Sequence, residues 1–276
     1  MESTFGIYER ARRNGMPAVL LTLAAVVVGG SVAATRRADD GMIYGAPVAI
    51  GNGTARVYID LKDGAPVEVG VALTVGALEG LPDHHSTGGV ALPDGHRMFE
   101  QILTMPAQNP TPYRYVALGW NPGGHEPPGI YDHAHFDFHF YTAPESQRAL
   151  MDPARAEYEA EAALNPAAEY VPSGFVTPPD AVVPFMGSHW IDPTSPEFNG
   201  GEFTRTFLYG SWNGEIIFAE PMITRAFLQT RTDVTQEVAV AARQLTPGWY
   251  PGSYRVRWVD DAREYRVGLT GFEWHQ

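Results

Sequence analysis

The sequence contains no cysteine and only one lysine, Lys62. Without cysteine, disulfide bonds and thiolate metal sites are excluded, so a metal ion must be bound by histidine, aspartate, glutamate or water. The formal net charge at pH 7 is -13. Phosphate binding needs clustered lysine and arginine, so nucleic acid is not an expected partner.

Several catalytic motifs are also missing. The chain has no phosphate-binding glycine loop and no Gly-x-Ser-x-Gly elbow. We therefore expect neither a nucleotide nor a flavin cofactor, and no serine hydrolase of that type.

Glycine and proline are abundant, at 29 and 23 of 276 residues, and they are scattered between short apolar runs. Frequent turn residues between short apolar runs are typical of a mainly β protein. We predict a β-sandwich or barrel-like pair of antiparallel sheets, with α+β content because of a helical insertion near 144–165. Within it, Asp152 and Pro153 resemble a helix start, and Ala154 to Leu164 would form the helix. Two short helices from Pro144 onward are the alternative.

The N-terminal segment resembles an export signal or a membrane anchor. Three arginines up to Arg13 precede an uncharged run from Met16 to Ala34, which as a helix would extend roughly 28 Å. The small residues that end this run suit signal peptidase, so cleavage and anchoring both remain open. We expect residues 1–41 to be this segment with a short linker, and 42–276 to form one domain outside the cytoplasm.

The most informative stretch runs from His133 to Tyr141. As a strand it alternates polar and apolar side chains, so that one face is core and the other carries three imidazoles and a carboxylate. The polar positions are His133, His135, Asp137, His139 and Tyr141. Imidazole and carboxylate are the usual ligands of zinc, iron, copper and manganese, so the strand predicts one divalent transition-metal site.

The identity of the ligands stays open. The main hypothesis combines His135 and His139 with His189, His125 or Glu220, and with Asp137 as a further ligand. Residues four apart on a strand are separated by roughly 13 Å, however, whereas residues two apart are about 7 Å apart and converge more easily. A structural network of hydrogen bonds is the alternative. His133, Glu126 and Tyr141 are expected around the ligands or as substitutes for them.

Three blocks of sequence resemble an uncharacterised secreted domain family, which includes a Thermus protein controlled by an extracytoplasmic sigma factor. They are Trp120 to Pro127 continuing into His135 to Tyr141, Met186 to Trp190, and Tyr209 to Met222. The resemblance implies an extracytoplasmic, mostly β domain and assigns no catalytic residue. The motif positions are His125, His135, Asp137, His139, His189 and Glu220, while His133 stands where the family would have an apolar residue.

These observations predict an extracytoplasmic protein that binds a transition metal and acts as a binding or envelope-associated protein. A metal-dependent oxygenase or hydrolase, and a structural protein that forms a homo-oligomer without metal, are the alternatives. Whether the protein is an enzyme, and which small molecule it would bind, is left open by the sequence.

Overall fold

The computed structural model describes residues 40–92, 94–179 and 181–276. The predicted signal or anchor segment lies outside these residues, so the boundary near residue 41 stays a prediction. Within the described ranges, no helix combines the length and apolar character needed to cross a membrane.

Strands make up 45% of the structure and helices 11%, which confirms the mainly β prediction. The strands of the described residues are β1 Gly41–Tyr44, β2 Val48–Ile50, β3 Gly53–Lys62, β4 Ala65–Thr74, β5 Val90–Ala91, β6 Arg97–Thr104, β7 Tyr115–Asn121, β8 His135–Tyr141, β9 Val182–Val183, β10 Gly187–Trp190, β11 Arg205–Trp212, β12 Glu215–Thr224, β13 Val234–Glu237, β14 Gly248–Val259 and β15 Glu264–His275. The α-helices are α1 Tyr158–Ala162 and α2 Arg225–Gln229, and 3-10 turns occur at Val75–Leu78, Glu145–Met151, Ala168–Tyr170 and Pro196–Phe198.

The strands form two antiparallel sheets. The first has the order β1-β3-β4-β15-β14-β13, with β2 paired to β3, and the second has the order β5-β6-β7-β8-β12-β11-β10-β9. One apolar cluster joins them, with Val57 and Val69 from the first sheet and Leu118, Phe138 and Ile223 from the second. The two sheets therefore share a core between their facing sides.

Two tight turns set the register of the main hairpins. Asp63 and Gly64 join β3 to β4 with φ angles of 52° and 77°, and Asn213 and Gly214 join β11 to β12 with φ angles of 50° and 81°. Positive φ at both central residues is the type I′ geometry that matches the twist of a hairpin, and Asn-Gly and Asp-Gly favour it.

The helical insertion is present but shorter than predicted. It consists of the 3-10 turn Glu145–Met151 followed by α1. The predicted start at Asp152 and Pro153 is wrong, because the Asp152 carboxylate accepts only the Ala154 amide, in a local turn, and α1 begins at Tyr158. A short side chain that can satisfy a turn competes with its use as a helix cap.

The central strand β8 carries the alternation that its sequence predicts. Phe136, Phe138 and Phe140 point into the shared core. His135 and His139 lie on the opposite, outer face of the second sheet, where they are nevertheless buried. The fold therefore places a polar row beneath a covering layer of loops.

Candidate metal centre

The polar row of β8 meets small residues on the neighbouring strand β7. His139 is paired with Ala117, and Asp137 is paired with Gly119. A Cβ atom on Gly119 would lie 2.8 Å from the Sδ atom of Met98 and 3.4 Å from Oδ2 of Asp137. The absence of a side chain at residue 119 therefore gives the Asp137 carboxylate its room.

Group 1 consists of His125, His135 and Asp137, whose ligand atoms all lie within 4.8 Å of one another. Nε2 of His135 is 3.1 Å from Oδ1 of Asp137, and Nε2 of His125 is 3.8 Å from Oδ2. The Asn121 side-chain amide donates to Oδ2 of Asp137 at 2.6 Å and lies 3.3 Å from Nε2 of His135. Strands β7 and β8 and the loop after β7 thus build this group.

Group 2 consists of His139, His189 and Glu220, again with ligand atoms within 4.8 Å of one another. Nε2 of His139 is 3.2 Å from Oε1 of Glu220, and Nε2 of His189 is 3.7 Å from Oε2. The register that pairs Ala219 with Phe140 places Glu220 opposite His139 across β12 and β8, while His189 comes from β10. Three strands distant in sequence therefore supply one residue each.

The backbone sets the tautomer of these histidines. Nδ1 of His125 donates to the Glu126 carbonyl at 2.7 Å, Nδ1 of His135 donates to the His133 carbonyl at 2.6 Å, and Nδ1 of His189 is 3.3 Å from the Ala181 carbonyl. A carbonyl oxygen can only accept, so Nδ1 of each of these rings carries a proton. Each Nε2 therefore faces its group as the nitrogen that could bind a metal ion, which is the usual arrangement of metal-binding histidines.

Some of the buried polar atoms in both groups have no hydrogen-bond partner among the described residues. They are Oδ1 of Asp137, Nε2 of His139, Oε2 of Glu220 and Oδ1 of Asn121. Such atoms cost free energy when they are left unpaired away from water. Their concentration in one place indicates a site that is completed by another chemical species.

Burial dominates the electrostatics of group 2. It lowers the pKa of His139 to about 3 and that of His189 to about 4. Burial, together with the charge of Asp137, raises the pKa of Glu220 well above its usual range. In the metal-free protein at neutral pH, both imidazoles are therefore neutral, and burial favours the protonated form of the Glu220 carboxyl.

Group 1 behaves differently. Burial alone would raise the pKa of Asp137, but the charge of His135 and a hydrogen bond to it, helped by His125 and His139, hold this pKa well below the usual value. Burial lowers the pKa of His125. Asp137 is therefore an ionised candidate ligand at neutral pH, next to Glu220, whose protonated form burial favours.

Both groups line one cavity of about 280 Å³. The side chains of His125 and His189 are 20% and 15% exposed, whereas those of His135, Asp137, His139 and Glu220 are at most 3% exposed. Solvent therefore reaches the groups past His125 and His189. Most of the remaining wall is apolar, including Leu92, Met98 and Leu208.

The structure brings together all six residues predicted as ligands, but it divides them between two groups. A single ion held by both His135 and His139 is wrong, because these residues belong to different groups. The two residues are four positions apart on an extended strand, and this separation is too large for both side chains to reach one ion easily.

The three residues expected around the ligands have different positions. The side chain of His133 is 53% exposed and lies 3.7 Å from Glu202, so only its carbonyl contacts the site, through His135. Glu126 lines the cavity, and its carbonyl orients His125. The ring of Tyr141 stacks on His139 with the ring centroids 5.8 Å apart.

Sequence reasoning missed Asn121 and Tyr131. The side chain of Asn121 bridges Asp137 and His135, and the strand pairing of Asn121 with His135 shows why. Tyr131 lines the cavity, and its buried hydroxyl has no hydrogen-bond partner among the described residues. Neither position carries a sequence pattern that separates it from ordinary loop and turn residues.

Fold and site together define a class: a mainly antiparallel, two-sheet β protein with two buried histidine–carboxylate groups that could hold metal ions. Residues 62–120 match the family model described as TTHB210-like, Hypothetical protein TTHB210. This match confirms the resemblance to an uncharacterised family with a Thermus member. It covers about a fifth of the chain and ends before the first of the six candidate ligands. No curated protein and no solved structure matches the chain.

Proposed function

We propose that this protein is an extracytoplasmic metal-binding protein that holds two divalent transition-metal ions, one in each histidine–carboxylate group. One observation carries the proposal. In both groups, imidazole Nε2 atoms and carboxylate oxygens face one another inside the protein at 3.1 to 3.8 Å. Two facing acceptors repel unless a proton or a cation lies between them.

The spacing suits a metal ion. With metal–nitrogen and metal–oxygen bonds of about 2.0–2.1 Å, two ligand atoms of a tetrahedral site lie roughly 3.3 Å apart. The measured separations of 3.1, 3.2, 3.7 and 3.8 Å lie around this value. Only small side-chain movements would therefore be needed to complete either centre.

The donor set favours transition metals. Two imidazoles and one carboxylate per group suit zinc, iron, copper or manganese, whereas calcium and magnesium prefer oxygen ligands alone.

Elemental analysis of the chain purified without chelators tests this function. We expect about two metal ions per chain, and about one in either the His135→Ala or the His139→Ala variant. His133→Ala is the matched control, because His133 is exposed and belongs to neither group. The proposal fails if no metal is present and none binds when zinc, iron, copper or manganese is added. A metal content that is unchanged in both variants would also refute it.

The extracytoplasmic location is supported by the arginines up to Arg13 and the uncharged run from Met16 to Ala34. Protease added to intact host cells should degrade an anchored chain, and a cleaved chain should appear outside the cytoplasm. Retention of the intact chain in the cytoplasm would contradict the location without affecting the metal sites.

Metal-dependent hydrolysis or oxygenation is a second candidate function. It is favoured by the ligand count, since three protein ligands per ion leave coordination positions open toward the cavity. Zinc-loaded protein assayed with activated esters, and iron-loaded protein assayed for oxygen uptake, would test it. Activity that persists in His139→Ala would assign the reaction to a contaminant.

A further inference from the structure

We infer that the cavity binds a small organic carboxylate, with its carboxylate at a bound metal ion and its apolar body against the cavity wall. This inference rests on the proposed function, because it needs a bound metal ion. It adds to that function the chemical class of the ligand.

Charge balance favours an anion. Two divalent ions would carry four positive charges, while the carboxylates of the cavity wall are those of Asp137, Glu220 and Glu126. The described residues that line the cavity include no lysine or arginine. A surplus of positive charge at a partly desolvated site attracts an anionic ligand strongly, and a carboxylate could occupy a coordination position that the protein leaves open.

The wall selects an apolar body. It includes Leu92, Met98 and Pro127 on one part of the lining, and Ile191, Phe198 and Leu208 on another. A volume of about 280 Å³ lies at the lower end of the range for organic ligand sites. A short-chain or monocyclic carboxylate therefore fits the cavity better than a sugar acid or a peptide.

Tyr131 supplies the remaining polar contact. Its hydroxyl is buried and has no partner among the described residues, and Tyr131 lines the cavity together with Asp137 and Glu220. The edge of its ring packs on His125, with ring centroids 5.7 Å apart. We assign Tyr131 as the hydrogen-bond donor to the bound carboxylate, because a buried donor beside a metal-bound anion gains a charge-assisted hydrogen bond.

The purified chain is loaded with cobalt(II) and titrated with acetate, propionate, butyrate and benzoate. Benzamide, which has the same ring as benzoate but no charge, is the control. The cobalt absorption bands report binding. We expect affinity to increase about fourfold per methylene, on the order of 15-fold from acetate to butyrate. Benzamide should bind at least tenfold more weakly than benzoate.

Two variants test the wall and the donor separately. Ile191→Asn should keep two metal ions per chain but lose the dependence on chain length. Tyr131→Phe should also keep both ions and bind benzoate about tenfold more weakly. If Ile191→Asn does not fold, Leu92→Asn takes its place, because Leu92 is also a partly buried residue of the cavity wall.

The outcomes separate this inference from the metal proposal. If two ions bind but the carboxylates bind equally well or not at all, the inference is wrong and the metal proposal stands. If no metal binds, both are wrong. Unchanged benzoate affinity in Tyr131→Phe would overturn the role of the tyrosine.

Discussion

Replacing Glu220 with glutamine should remove metal binding by group 2 and, at the same time, stabilise the metal-free protein at alkaline pH. Glu220 is 1% exposed, and its Oε2 atom has no hydrogen-bond partner among the described residues. Replacing a residue that stabilises the fold would not raise the stability of the metal-free protein. The two opposite effects therefore distinguish a ligand from a structural residue.

The sign of the pH effect follows from linkage. Burial raises the pKa of Glu220 in the folded, metal-free protein, so the folded state binds more protons than the unfolded state above the unfolded pKa of about 4.3. The stability of the wild-type protein should therefore decrease as the pH rises from about 4.3 through the raised, folded pKa. Glu220→Gln removes this ionisation and the associated decrease.

The magnitude follows from the cost of a buried group. Each unit of pKa difference corresponds to about 1.4 kcal/mol, and an unpaired buried polar group costs about 1–3 kcal/mol. We expect the metal-free variant to gain about 1–3 kcal/mol over the wild type at pH 8 and about zero at pH 4. For a domain of this size, a gain of 1–3 kcal/mol raises Tm by about 2–12 °C.

Thermal unfolding with chelator, and then with added zinc, measures both effects. Zinc at about 100 times its Kd should stabilise the wild type by about 2.7 kcal/mol, with a smaller effect on Glu220→Gln. Glu215→Gln is the matched control, since Glu215 begins the same strand but is exposed. If Glu220→Gln destabilised the metal-free protein at pH 8 and bound zinc as the wild type does, this reasoning would be refuted.

Three further predictions concern the same site and the core. At pH 5, zinc binding to group 2 should release protons from Glu220, whose pKa burial raises, and none from His139, whose pKa burial lowers to about 3. Calorimetry in buffers of different ionisation enthalpy should detect the release, and a value of zero would contradict the assignment. Asn121→Ala should weaken metal binding by group 1 about 10- to 100-fold and leave metal binding by group 2 unchanged, as measured by competition with a chelator. Equal weakening of both groups would show that Asn121 does not act on group 1 alone. Phe138→Ala should lower the free energy of unfolding, measured in urea, by about 3–5 kcal/mol. Phe185→Ala, at an exposed position, should lower it by less than about 0.5 kcal/mol. Similar losses in the two variants would contradict the assignment of Phe138 to the core.

The local pattern of the sequence predicted much of the fold. Alternation over His135 to Tyr141 identified β8 and its two faces, because side chains on a strand must alternate. Asn213 and Gly214 identified a hairpin, because few residues tolerate positive φ. The start of the helix after residue 144 was wrong because a turn used the Asp152 carboxylate first.

The sequence by itself determined which residues could bind a metal: with no cysteine, only histidines and carboxylates were available. It did not determine how they are grouped. That depended on strand order, since β12 and β10 bring Glu220 and His189 to His139, while a loop brings His125 to His135. Strand pairing joins Phe140 to Ala219, which are 79 positions apart, and local periodicity contains no information about such contacts. The tertiary structure therefore decided that the candidate ligands form two groups, that both groups contribute to one cavity, and that burial shifts the pKa values within them.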